Sequence, residues 1–269
     1  MKKIFRITLS ILALSALIGL ESCQKEELGT SGLSDEVSPT LKSKELNTFY
    51  SPTVSLGNGV ARAWVMVSKS GDPISVGINL SAKALENLPD EPQMFAMQLP
   101  KNKGMNFYTH ALFDWNPQGH EPPGVYDLPH FDFHFYIIPN EDRLSIPFIP
   151  PLTTDAPVDP MYVPAGYVMD AVTIPEMGTH WVDLDSPEWN GETFTKTFIW
   201  GSYQGMFSFW EPMITLNYLN TQPNETIPLK QPSAFQKSGW YPMSYSITYS
   251  MMPDQYTIAL TDLTYHEGE

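Results

Sequence analysis

The chain has 269 residues and a single cysteine. One thiol cannot close an intramolecular disulfide, so the fold must rest on its core and its hydrogen bonds. Cationic residues are also scarce: 15 Lys and Arg stand against 30 Asp and Glu, for a net charge of −15. That balance excludes nucleic acid as a partner, because phosphate backbones are held by Lys and Arg. It equally excludes charge-driven adhesion to anionic lipid. There is no Gly-x-Ser-x-Gly elbow, no P-loop, no dinucleotide fingerprint and no His-Glu-x-x-His, so the familiar hydrolase, nucleotide and zinc-protease signatures are missing. No apolar run reaches the roughly 20 residues that span a bilayer. The chain shows no internal repeat and no coiled-coil heptad.

The N-terminus reads as an address. Lys2, Lys3 and Arg6 precede an apolar run from Ile7 to Leu20, which is followed by Leu20-Glu21-Ser22-Cys23. This is the layout of a secretory leader, and its end resembles a bacterial lipobox. Residues 1–22 are read as a lipoprotein signal peptide, with Cys23 as the lipid attachment point and the membrane partner reached through that anchor. Gln24-Lys25-Glu26-Glu27 resembles the export signal of surface lipoproteins from the Bacteroidetes. It implies an outer-membrane lipoprotein, periplasmic or surface-exposed, with the cell surface preferred. Residues 23–52 are polar and lack apolar periodicity, as expected of a flexible linker. Residues 53–269 form the β-rich domain.

Within that domain, alternation and turn residues mark strands at Val60–Ser68, Ile74–Leu80, Gln93–Leu99, Asn106–Trp115, His130–Tyr136, Tyr167–Ile174, Thr193–Trp200, Gly205–Glu211, Met213–Leu219, Met243–Met251 and Gln255–Tyr265. A turn is expected at Lys101–Gly104. Ser81 is placed to cap one short helix, Ala82–Leu88, before Pro89. Leu144–Pro164 carries six prolines and reads as a long surface or lid loop. The expectation is an all-β fold of about ten to twelve strands, barrel-like or a sandwich, with one short helix.

The chemistry concentrates around His130-Phe131-Asp132-Phe133-His134-Phe135-Tyr136. In a strand, successive side chains point to opposite faces. Three phenylalanines therefore face one side, and His130, Asp132, His134 and Tyr136 the other. Residues two apart can converge on one ion, but His130 and His134 lie about 13 Å apart on a straight strand, so further ligands must come from elsewhere. His180, after a Pro-x-x-Gly turn, and Glu211, before Pro212, are the candidates. The metal set is thus His130, Asp132, His134, His180 and Glu211. His120 and Glu176 are expected behind it as supporting groups, with Asp132 or Glu176 as candidate proton carriers. Such nitrogen and oxygen donors suit a divalent ion: Zn, Mn, Fe, Ni or Cu. The bland reading is a solvent-wetted face or hydrogen-bonded core histidines. His110 reads as an ordinary strand residue, and His266 as part of a frayed end.

Two resemblances add to this. Gly124, five residues and then His130, with Pro175-x-x-Gly178-x-His180 later, resembles the two cupin motifs and implies a β-barrel metal site. Trp115-Asn116-Pro117-x-Gly119-His120-Glu121-Pro122-Pro123-Gly124-x-Tyr126-Asp127-x-Pro129, running on through His130–Tyr136, resembles the signature of an uncharacterised bacterial family of secreted proteins and lipoproteins, catalogued as a domain of unknown function. Later matches are Pro175-x-Met177-Gly178-x-His180-Trp181-x-Asp183 and Gly201-x-Tyr203-x-Gly205 through Glu211-Pro212-Met213. The resemblance runs over roughly residues 55 to 265 and implies an extracytoplasmic β-rich domain without assigning an activity. The leading expectation is a lipid-anchored metalloprotein, binding or acting on a small molecule. The alternative is a non-enzymatic cell-surface module for glycan or protein, or a structural protein. The discriminating feature is whether His130, His180 and Glu211 meet in one pocket.

Overall fold

The structure, a computed structural model, describes residues 46–101, 106–151 and 155–269. The leader, Cys23 and most of the expected linker lie outside the described residues, as do residues 102–104 of the expected turn. From Leu46 to Glu269 the described residues fall in one compact unit. Its strands, in order, are β1 (Leu46–Tyr50), β2 (Val54–Leu56), β3 (Gly59–Ser68), β4 (Pro73–Ser81), β5 (Gln93–Gln98), β6 (His110–Asn116), β7 (His130–Tyr136), β8 (Tyr167–Ile174), β9 (Gly178–Asp183), β10 (Lys196–Tyr203), β11 (Met206–Thr215), β12 (Asn224–Pro228), β13 (Gly239–Tyr241), β14 (Ser244–Met251), β15 (Asp254–Thr261) and β16 (Thr264–His266). Two short α-helices accompany them, α1 (Asn140–Leu144) and α2 (Leu216–Leu219). Among the described residues no helix is long and apolar enough to cross a membrane.

The strands form two seven-stranded antiparallel sheets and one small pair. The first sheet runs β1-β3-β4-β15-β14-β12, with β2 also on β3; the second runs β5-β6-β7-β11-β10-β9-β8; β13 pairs with β16. The architecture is sandwich-like, with no closed barrel among the described residues. The barrel alternative therefore gives way, and with it the architecture that the cupin resemblance implied.

One continuous core explains the layering. Ala63, Val65, Ile78, Leu80, Ile247 and Ile258 of the first sheet join Phe113, Phe131, Phe133, Phe135, Trp200 and Trp210 of the second in a single buried cluster. Phe198 on β10 meets Tyr245 on β14 across the interlayer, with ring centroids 5.0 Å apart. Burying these apolar faces against each other is the main driving force available to a fold without cross-links.

Several local expectations change. The stretch read as linker to residue 52 contains β1, a mostly exposed edge strand whose Leu46, Phe49 and Tyr50 do not alternate with polar residues. Ala82–Leu88 shortens to a 3-10 turn, Ala82–Leu85. β12 lies where no strand was expected, and it is again half exposed. Gly205–Glu211 and Met213–Leu219 are not two strands: β11 runs through Pro212 to Thr215, and α2 follows. Pro212 still pairs with Phe198 on β10, while the ladder to β7 has no pair at residues 211 and 212. A proline removes one donor, not the strand, when the other neighbour holds it.

Candidate metal centre

Strand β7 is an interior strand of the second sheet, between β6 and β11, and all seven of its residues are buried. Phe131, Phe133 and Phe135 point into the sandwich, as alternation requires. The opposite face, carrying His130, Asp132, His134 and Tyr136, is not wetted by solvent: His130 is 0% exposed and His134 1%. Tyr126, Phe194, Ile199 and Met213 form one buried apolar cluster, and Tyr136 forms another with Leu112 and Phe209.

The structure sorts the expected ligands into two groups rather than one. His134, His180 and Glu211 form the first; His120, His130 and Asp132 form the second. The physical reason is the straightness of β7. Its register with β6 runs unbroken from His130↔Asn116 to Tyr136↔His110, so no bulge brings His130 and His134 together. The expected meeting of His130 with His180 and Glu211 does not occur.

In the first group, Glu211 Oε1 lies 3.4 Å from His134 Nε2, and Glu211 Oε2 lies 3.4 Å from His180 Nε2. Both nitrogens of His134 and Oε2 of Glu211 are buried without a hydrogen-bond partner. Burial pushes the His134 imidazole below its ordinary pKa, so it is held neutral. Asp114 Oδ2 stands 3.7 Å from His134 Nδ1 on the side away from Glu211. Burial, and then the charges of Asp132 and Glu211, push the Asp114 carboxyl well above the usual carboxylate range.

In the second group, each histidine is pinned. His120 Nδ1 lies 2.7 Å from the Glu121 carbonyl and His130 Nδ1 2.6 Å from the Leu128 carbonyl. A carbonyl only accepts, so both Nδ1 atoms carry the proton and both Nε2 atoms face Asp132. His120 Nε2 lies 3.3 Å from Asp132 Oδ2, and His130 Nε2 3.1 Å from Oδ1. Asn116 Nδ2 donates to Oδ2 at 2.7 Å. Burial alone would lift Asp132, but the His130 charge and the His120 and His130 contacts outweigh it and hold the carboxyl below its usual range. Burial lowers His120, yet Asp132 more than offsets this and lifts it to about 9.

Local sequence explains the aim of these side chains. Gly119 has φ +70, and a Cβ there would stand 2.1 Å from the Tyr126 carbonyl oxygen, so the loop bearing His120 closes only on a glycine. Gly178, at φ +124, opens β9 two residues before His180. Gly201 pairs with both His180 and Phe209. A Cβ at Gly201 would lie 2.0 Å from the Phe209 ring, which packs edge-on against His134 at 5.0 Å and His180 at 5.4 Å. Gly201→Ala is therefore expected to displace Phe209 and to cost roughly 1–3 kcal/mol by overpacking, seen as a lower melting temperature together with weaker metal binding. Unchanged values of both would sink this account.

The remaining residues fall as follows. Glu176 pairs with Arg143, at 3.4 Å, rather than with either group, and its side chain is 46% exposed; a supporting role finds no contact here. His120, expected as a supporting group, lies in the second of the two groups that could hold an ion. His266 is not frayed: it lies in β16, stacked on Phe235 at 3.9 Å. Asp114 and Phe209 were missed. Asp114 pairs directly with Asp132 across β6 and β7, a relation visible only once the register is known. The conspicuous Gly201 was the available signal for Phe209.

A family model described as TTHB210-like, hypothetical protein TTHB210, matches residues 68–115. That stretch runs from the end of β3 into β6 and includes His110 and Asp114, but neither ligand group. No curated protein and no solved structure matches the chain. What this chain is similar to is, over that minor part of its length, a family to which no activity is attached.

Proposed function

We propose that this protein is an extracytoplasmic, lipid-anchored metalloprotein. It holds a divalent ion (Zn, Mn, Fe, Ni or Cu) through His134, His180 and Glu211 on the outer face of the second sheet, and binds or acts on a small molecule there. The observation that carries the reading is the pair of 3.4 Å separations from Glu211 to two imidazoles, with buried atoms left unpartnered between them. Donors placed about 2.0–2.2 Å from a tetrahedral ion are roughly 3.3–3.6 Å apart. Buried orphan polar atoms are rare and call for an occupant. Two histidines and one carboxylate leave a coordination position free, as in catalytic rather than closed structural sites. When bound, such an ion supplies a Lewis acid that polarises a ligand oxygen. The chain itself keeps His134 neutral, props both imidazoles with Phe209 and shields the site.

The binding-module alternative stays the second reading: no tryptophan is exposed, but Tyr50 and Tyr265 are, and His130 does not join His180 and Glu211. The test is elemental analysis of the protein, purified without a histidine tag and dialysed against each candidate ion. Near-stoichiometric metal is expected, with His180→Ala and Glu211→Gln each weakening binding by more than about 100-fold, beyond the 10–100-fold typical of supporting residues. Absence of retained metal in a folded wild-type protein would overturn the proposal.

A further inference from the structure

We infer that the same sheet face holds a second divalent ion, bound by His120, His130 and Asp132, separate from the first and open to solvent. The inference goes beyond the first site, because the two groups share no residue. Three observations carry it.

Both histidines turn Nε2 toward Asp132 by construction, as the atom each would give to an ion. Each has its Nδ1 proton committed to a backbone carbonyl, at 2.7 Å for His120 and 2.6 Å for His130. That bond fixes the tautomer and the ring orientation, the arrangement that supports metal-ligating histidines. The two Nε2 atoms then address different oxygens of one carboxylate, at 3.3 and 3.1 Å. These spacings suit atoms arranged around an ion better than charge-assisted N–H···O bonds, which contract to about 2.7–2.9 Å.

His130 Nε2 and Asp132 Oδ1 are also buried without a hydrogen-bond partner and aim at each other. Their residues are 0% and 4% exposed. Leaving such a pair unsatisfied is costly inside a protein, and an ion between them would satisfy both atoms.

The third observation concerns access. The His134 and Glu211 side chains are 1% and 3% exposed and His180 is 15% exposed, whereas His120 is 40% exposed. The second ion would therefore have one flank on solvent, with its loop held by the Gly119 turn and by the 2.6 Å bond from Gly124 N–H to Asp127 Oδ2. Asp132 and His134 are next-but-one on a straight strand, roughly 6.5–7 Å apart at Cα. The two ions are thus neighbours on one face, and Asp114, opposite Asp132 and beside His134, stands between the groups.

The test is metal stoichiometry after zinc loading and dialysis, on the untagged protein and on His120→Ala, His130→Ala and His180→Ala. Two equivalents are expected in the wild type. His130→Ala should keep one, His180→Ala should keep the other, and their combination neither. His120→Ala alters a half-exposed loop side chain and keeps the fold. It should weaken the second equivalent by more than about 100-fold while leaving the first in place. With Co2+ in place of zinc, loss of one of two visible absorption components in His120→Ala identifies the ligand directly. One equivalent that survives His130→Ala and His120→Ala overturns the second ion alone. One equivalent lost in those variants but retained in His180→Ala upholds it and overturns the first site. One equivalent lost in all three, or none in the wild type, overturns both.

Discussion

Phe133→Ala is expected to cost about 3–5 kcal/mol, the range for deleting a buried phenylalanine. For a domain of this size that lowers the melting temperature by roughly 6–20 °C. Phe133 is 0% exposed and lies between Phe113, at 6.1 Å across the β6–β7 pair, and Phe131, at 6.0 Å. Its neighbours in the chain, Asp132 and His134, are one ligand from each group. The substitution therefore opens a cavity directly behind the metal face, in the one strand that both groups share. Phe133→Leu, which fills most of the same volume, is expected to cost under about 1.5 kcal/mol and to retain metal. Thermal or denaturant unfolding measures both variants. An alanine variant within about 1 kcal/mol of wild type would show that this face of β7 is not the core of the sandwich.

The same strand shows what was legible beforehand. Its bounds, and the division into a phenylalanine face and an imidazole face, follow from period-two alternation and are found as expected. His134, His180 and Glu211, proposed together from chemistry and turn position, do meet. What alternation cannot supply is distance and register. Sharing a face made His130 and His134 candidates for one ion, yet an unbroken ladder to β6 keeps them four residues apart on a straight strand. Asp114 belongs to this face only because β6 pairs it with Asp132, a relation with no trace in local sequence. His120 reads as no more than a supporting group because its loop is rich in glycine and proline. Those same residues fold the loop back so that its imidazole reaches Asp132. The edge strands β1 and β12 were overlooked because exposed edges need no apolar pattern.

Acid is expected to destabilise the metal-free protein through His110, by about 3 kcal/mol between pH 7 and pH 4. His110 is 0% exposed and stacked on Tyr136 at 4.6 Å with rings 4° from parallel. Its Nδ1 is 2.9 Å from the Thr109 hydroxyl, whose own proton goes to the Ile138 or Tyr136 carbonyl. The hydroxyl thus accepts from Nδ1–H, and Nε2 is buried without a partner. A second proton on Nε2 would find no acceptor, and burial, then Arg143, then His134 lower the pKa from 6.5 to about 4. The sign follows. The unfolded chain takes up the proton near pH 6.5 and the folded one only near 4, so the stability is complete above the first value, is lost through the interval and falls no further below the second. His134, also lowered, acts in the same direction, whereas Asp114, raised, acts against it. Both groups persist in His110→Gln, so the difference between the two proteins isolates His110. Denaturant unfolding from pH 7 to pH 4, with a chelator present to remove ligand protonation from the comparison, should show that difference shrinking by about 3 kcal/mol, since one pKa unit corresponds to about 1.4 kcal/mol. Parallel curves would mean that His110 titrates alike in both states, and that the orphaned nitrogen at the end of this face is satisfied after all.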